Sequence, residues 1–119
     1  MKRSGFLKRS GKWSGKPAAA RRQARSRARF ARAYGCVGRV QWLRGLDCCV
    51  GPCLEWPCEA VHVKSRGAGG TADDLVPMCP MHHRQLHALG IKTFLAKYRG
   101  LDLEAIAARY AFDWRKFAA

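Results

Sequence analysis

"HVKSRGAGGTADDLVPMCPMHHRQLH", His62 to His87, contains all four histidines of this 119-residue chain. Its pattern changes period twice. "EAVHVK", Glu59 to Lys64, reads as a strand, "SRGAGGTA" as a glycine-rich connection, and "DDLVPM" as a second short strand. Pro77 removes one ladder hydrogen bond from that second strand, which puts it at an edge or makes it irregular. "PMHHRQLHAL" then reads as a helix, with Pro80 at its first position and Gly90 at its C-terminal left-handed position. On such a helix His83 and His87 are i and i+4 and share a face, whereas His82 lies about 100° around the axis. Adjacent histidines therefore divide between two jobs. His83 and His87 suit one divalent ion, and His82 suits a pairing with Cys79 in a C-x-x-H spacing.

Outward from this stretch, the cysteines supply the missing half of a staple. The chain after Arg39 has only about 80 residues, a size at which a hydrophobic core alone gives marginal stability. Zinc favours four Cys or His ligands, commonly as two close pairs. Cys79 and His82 form one pair; Cys48 or Cys49 with Cys53, across the turn "VGP", forms the other. Cys58 competes for the same role, and Cys36 lies outside both groups.

The charge is uneven. The net charge is +15, and before Asp47 there are 14 Lys or Arg and no acid; from Asp47 on there are 9 basic and 8 acidic residues, a net of +1. A basic arm on a near-neutral domain is the electrostatic footprint of a nucleic-acid binder. Residues 1–16 show no periodicity and are expected to be mobile. Residues 17–34 look helical, opened by Pro17 and closed by Gly35, with Arg21, Arg22, Arg25 and Arg29 available to phosphates. Arg39 to Leu46 reads as a short helix or turn, and two helical segments follow Gly90. In the last of these Leu103, Ile106, Ala107 and Tyr110 recur at helical spacing and are expected in the core, with Trp114 and Phe117 continuing the stripe. No apolar run reaches membrane-spanning length, and the N-terminus lacks the apolar segment of a secretory signal. The expectation is an intracellular, cytoplasmic protein without membrane contact, in which cysteines serve metals rather than disulfides.

The quoted stretch resembles the HNH endonuclease motif of the ββα-metal (His-Me finger) superfamily, and more narrowly the small HNH proteins of bacteriophages and prophages. The resemblance covers Cys48–Gly90, and the opening "MKRSGFLKR" is similar to the start of some phage recombination-associated HNH proteins. It implies an α+β fold: a small ββα-metal (HNH) core with a structural zinc site, flanking helices and a basic arm over 1–35, the nuclease domain spanning 36–119. It implies a host-cell cytoplasmic enzyme that hydrolyses DNA phosphodiester bonds during phage DNA processing or recombination.

Position by position, the resemblance makes His62 the general base, Asp74 the middle residue that supports loop and base, and His83 the helix metal ligand, with His87 an additional one. Cys48, Cys53, Cys79 and His82 match the structural zinc set. Lys64 and Arg66 flank the loop where phosphates would be gripped. One position departs from the family: Val61 stands where a metal ligand commonly precedes the base. Glu59, two residues earlier on the same strand face, is the expected substitute, with Asp73 as a second candidate. Mg²⁺, Mn²⁺, Ni²⁺ and Zn²⁺ all remain open at the catalytic site, although paired imidazoles disfavour Mg²⁺. The departure at Val61 favours an alternative, a non-catalytic zinc-stapled nucleic-acid-binding protein.

Overall fold

Two four-residue strands, β1 (Glu59–His62) and β2 (Leu75–Met78), pair antiparallel in the register Glu59↔Met78, Ala60↔Pro77, Val61↔Val76 and His62↔Leu75. A two-stranded sheet is not stable alone in water, so both faces are covered. All four residues of β2 are buried. The period of two sorts the side chains cleanly. Val61, Val76 and Met78 face a core built with Leu86, Phe94, Leu103 and Ala107. Leu75 faces a second cluster with Leu43 and Ala72, against which Ala60, Tyr34, Trp42 and Tyr110 pack. Glu59 and His62 are three residues apart and thus leave β1 on opposite faces.

The computed structural model describes residues 17–119; the arm expected over residues 1–16 lies outside them. The described chain is α+β, with helices α1 (Ala18–Tyr34), α2 (Val37–Arg44), α3 (Pro80–Leu89), α4 (Ile91–Lys97) and α5 (Leu103–Ala118) around the sheet. Two short 3-10 turns, Arg66–Ala68 and Ala72–Asp74, connect the strands. Among the described residues no helix is long and apolar enough to cross a membrane.

Helix α1 is rich in Ala and Arg, both strong helix formers, and buries only Ala33. Pro17 stands one residue before it as the N-cap, not at its first helical position. Gly35 ends it at φ +81°, a conformation side chains resist, and donates its N–H to the Ala31 carbonyl at 2.8 Å. That stop places the last turn of α1 against the sheet. The basic segment is therefore not wholly an appendage: Ala33 and Tyr34 belong to the packed body. Pro80 opens α3 as expected and Gly90 closes it at φ +83°. Helix α5 buries Leu103, Ala107 and Ala111. Trp114 and Phe117 leave the core stripe and join Trp42 in an aromatic group, with Phe117 exposed.

The glycine-rich connection is a closed loop rather than a slack one. Ala68 and Gly70 both donate to the Ser65 carbonyl, and Gly69 donates to that of Arg66. A Cβ at Gly70 would lie 2.0 Å from the Lys64 carbonyl oxygen, so only glycine fits there.

Candidate functional site

Cys79 is the N-cap of α3, and its sulfur accepts from the His82 N–H at 3.5 Å. Helix geometry alone thus brings Cys79 Sγ within 3.1 Å of His82 Nδ1. The loop ahead of β1 completes the group. The Cys49 N–H is tied to the Pro77 carbonyl at 2.8 Å, and the turn Val50–Cys53 is closed by a 2.9 Å hydrogen bond. Cys48 Sγ consequently lies 3.6 Å from His82 Nδ1, and Cys53 Sγ lies 3.9 Å from Cys79 Sγ. The four ligand atoms of Cys48, Cys53, Cys79 and His82 all fall within 4.8 Å of one another. A tetrahedral zinc bound by sulfur and nitrogen needs donor separations of about 3.5–3.8 Å, so this set fits one.

The donor set is shielded as well as convergent. Cys48, Cys79 and His82 are buried, and Cys48 Sγ accepts from the Cys79 N–H at 3.4 Å. The Tyr98 ring stands edge-on to His82. Burial, with Lys97 assisting, lowers the His82 pKa and keeps its ring neutral, the form that binds metal. Burial pushes the Cys48 thiol up to about 12. A divalent cation in the midst of the group would displace the Cys48 proton and bind the sulfurs as thiolates. The group can hold a metal ion such as zinc.

The competition for the fourth ligand resolves in favour of Cys48. Cys49 is tied to β2 through its backbone and stands outside the group, and Cys58 points its sulfur at the Glu55 carbonyl, 3.8 Å away.

His83 turns away from this cluster. Its Nδ1 lies 2.6 Å from Glu59 Oε1, and its Nε2 lies 2.9 Å from His87 Nε2. A carboxylate only accepts, so His83 donates Nδ1–H to Glu59 and its Nε2 lone pair faces His87. The residues expected to share an ion are thus brought together, but in sequence: Glu59 and His87 meet opposite nitrogens of the same ring. Val61, at the departing position, is buried in the main core cluster and faces no solvent. Asp73, the second candidate, is engaged elsewhere: its Oδ1 pairs with Arg39 at 3.2 Å and Arg115 at 3.7 Å.

His62 lies on the other sheet face, half-buried. Its Nε2 is 2.6 Å from the Ala33 carbonyl oxygen. The carbonyl only accepts, so Nε2 carries the proton and Nδ1 carries the lone pair. The Tyr34 ring packs edge-on against it at 4.9 Å, and the Arg66 guanidinium lies over the Tyr34 ring at 5.9 Å. Burial is the largest influence on His62 and lowers its pKa below the ordinary 6.5; Arg66 adds to this, while the Ala33 carbonyl and Asp74 oppose it. Asp74 acts at the base of the loop. Its carboxylate accepts from the Thr71 N–H at 2.8 Å, and its own carbonyl accepts from Val63 at 2.9 Å.

One cleft of about 720 Å³ joins these parts: His62, Lys64 and Arg66 line it from the strand and loop, and His83 and His87 from α3. Ala33, the group that orients His62, carries no residue-type signal because only its backbone acts. Tyr34, directly before the stop at Gly35, is the aromatic residue by which this helix end packs against His62 and the second cluster. Comparison of the chain with family models, with curated proteins and with solved structures finds no match.

Proposed function

We propose that this protein is a metal-dependent HNH-type endonuclease of the phage or prophage kind, acting on DNA in the cytoplasm of the host cell. One observation carries the reading. His62 is held neutral and oriented, with Nε2–H on Ala33 and a free Nδ1 lone pair, in the same cleft as the convergent imidazoles of His83 and His87. A poised base beside two soft nitrogen donors and two cationic side chains is the equipment for hydrolysing a phosphodiester.

His62 takes a proton from water at Nδ1 as the water oxygen attacks phosphorus, and the bond from phosphorus to the 3′ oxygen breaks. Asp74 holds the loop that carries Lys64 and Arg66, which bind phosphate oxygens. His83 and His87 would hold the divalent ion through Nε2. Glu59 accepts Nδ1–H from His83, which fixes its tautomer and ring orientation, the usual role of a carboxylate behind a ligating histidine. Glu59 thus supports a ligand and is not itself one. When bound, the ion supplies charge stabilisation to the phosphate and the leaving oxygen. Imidazole donors favour Mn²⁺, Ni²⁺ or Zn²⁺ over Mg²⁺.

A plasmid-nicking assay across these four ions tests the proposal. Wild type should nick, and His62→Ala should lose about 10²–10⁴-fold in rate, the usual worth of a general base, with zinc content and melting temperature unchanged. Full activity in His62→Ala removes His62 as the base. The burial of Val61 favours a second reading, a zinc-stapled DNA-binding protein without catalysis; binding without nicking in every metal would establish it.

A further inference from the structure

A second cleft, of about 440 Å³, opens between α1 and the glycine-rich loop. Arg29 and Arg32 reach it from one face of α1, three residues apart, and Arg66 reaches it from the facing 3-10 turn. Gly67, Gly69 and Gly70 form much of the opposite wall, so the approach there is to backbone rather than to side chains. Among the described residues no acidic side chain lines the cleft. Among the described residues no carboxylate pairs with Arg29, Arg32 or Arg66. Three guanidinium groups around one cavity repel one another until an anion enters.

Two residues connect this cleft to the one that holds His62. Arg66 lines both. Ala33 lines the arginine cleft, and its carbonyl holds the imidazole in the other. An extended polyanion lying in one cleft is therefore delivered to the next.

We propose that the arginine cleft is a specific phosphate site for the nucleic-acid strand being cut, binding a backbone phosphodiester beside the scissile one. This rests on the endonuclease reading and goes beyond it: α1 acts as a built half of the substrate site rather than as a diffuse polycation. Arg22 and Arg25 sit on the same helix and outside the cleft, which supplies the control.

The test compares two double variants that remove equal charge, Arg29→Gln/Arg32→Gln and Arg22→Gln/Arg25→Gln, each in a His62→Ala background so that a labelled duplex is not cut. Binding is followed by anisotropy over a salt series. The cleft pair should weaken binding at least tenfold and flatten log K against log salt by about 0.9 for each phosphate that is no longer neutralised; the control pair should do markedly less. Equal effects of the two pairs would overturn the proposal and leave α1 as a diffuse cation. Inorganic phosphate offers the cleft similar oxygens without the rest of the strand, so it should displace the duplex only at concentrations far above the duplex's own; displacement at equal or lower concentration would assign the cleft to a free anion and also overturn the strand reading. Cleavage by wild type with equal effects of both pairs sinks the cleft alone, whereas a wild type that binds no duplex sinks the nuclease reading with it.

Discussion

His82 and His83 are neighbours in the chain and belong to different chemical worlds. His82 is 6% exposed and meets two sulfurs within 3.6 Å. The side chain of His83 is 28% exposed and sits between a carboxylate and another imidazole at the wall of an open cleft. Three cysteine sulfurs converge with His82 into one group of four donors, three of them on buried residues. Around His83 two imidazole nitrogens face each other and the carboxylate stands behind. A closed donor set holds a structure together, and an open one leaves room for water or substrate. A turn of about 100° on α3 is enough to point the two rings into these different surroundings.

The sharpest way to break this comparison is at the closed cluster. Cys79→Ser removes one sulfur while leaving a hydroxyl that still caps α3, so the loss it reports is that of the metal ligand. Zinc binding in finger peptides is worth about 10–16 kcal/mol apparent, against a total stability of about 5–15 kcal/mol for a typical domain. Cys79→Ser should therefore lose zinc and its cooperative melt, while Cys49→Ser, outside the cluster, keeps both. Metal content by atomic emission and a thermal melt decide it. A wild type that carries no metal, or one whose melt is indifferent to a strong chelator, removes the staple.

The open cluster should respond on a smaller scale. If Glu59 supports His83 through Nδ1, Glu59→Gln should cost about 10–100-fold in nicking or in activating-metal affinity, with zinc content and melting temperature unchanged. His83→Ala should cost more than Glu59→Gln. Equal losses in the two variants would return Glu59 to the ion itself, as the strand pattern first suggested.

Some of this was legible in the residues. Alternation in "EAVH", Pro80 and Gly90 around the histidine helix, and the C-x-x-H spacing all act locally, and local rules survive folding. The choice among Cys48, Cys49 and Cys58 was not legible, because spacing states how far a thiol reaches and not which way it turns. That direction comes from the Cys49–Pro77 hydrogen bond, a backbone link between distant segments. The Ala33 carbonyl on His62 was invisible for the same reason. The alanine-rich face of α1 offers little to bury, and Ala33 in its final turn is the residue that packs. Asp73 looked like a spare ligand until Arg39, buried through folding, claimed it.

The smallest predicted effect concerns pH, and it separates His62 from the histidines of α3. As a base His62 works only when neutral, and its folded pKa lies below 6.5, chiefly through burial and secondly through Arg66. The acid limb of the nicking profile should therefore fall below pH 6.5. Arg66→Gln removes one of the lowering influences, so the limb should shift upward even though the maximum rate also declines as phosphate binding weakens. The same shift has a consequence for stability. Between the folded and unfolded pKa values the unfolded chain binds more protons, so stability rises with pH there. The contribution of His62 is complete above 6.5 and is lost as pH falls through the lower folded value. His62→Ala should flatten that part of the stability curve, measured by urea midpoints in a pH series. A limb that stays put in Arg66→Gln would mean that the group titrating in the rate profile is not His62, and would direct attention to the imidazoles of α3.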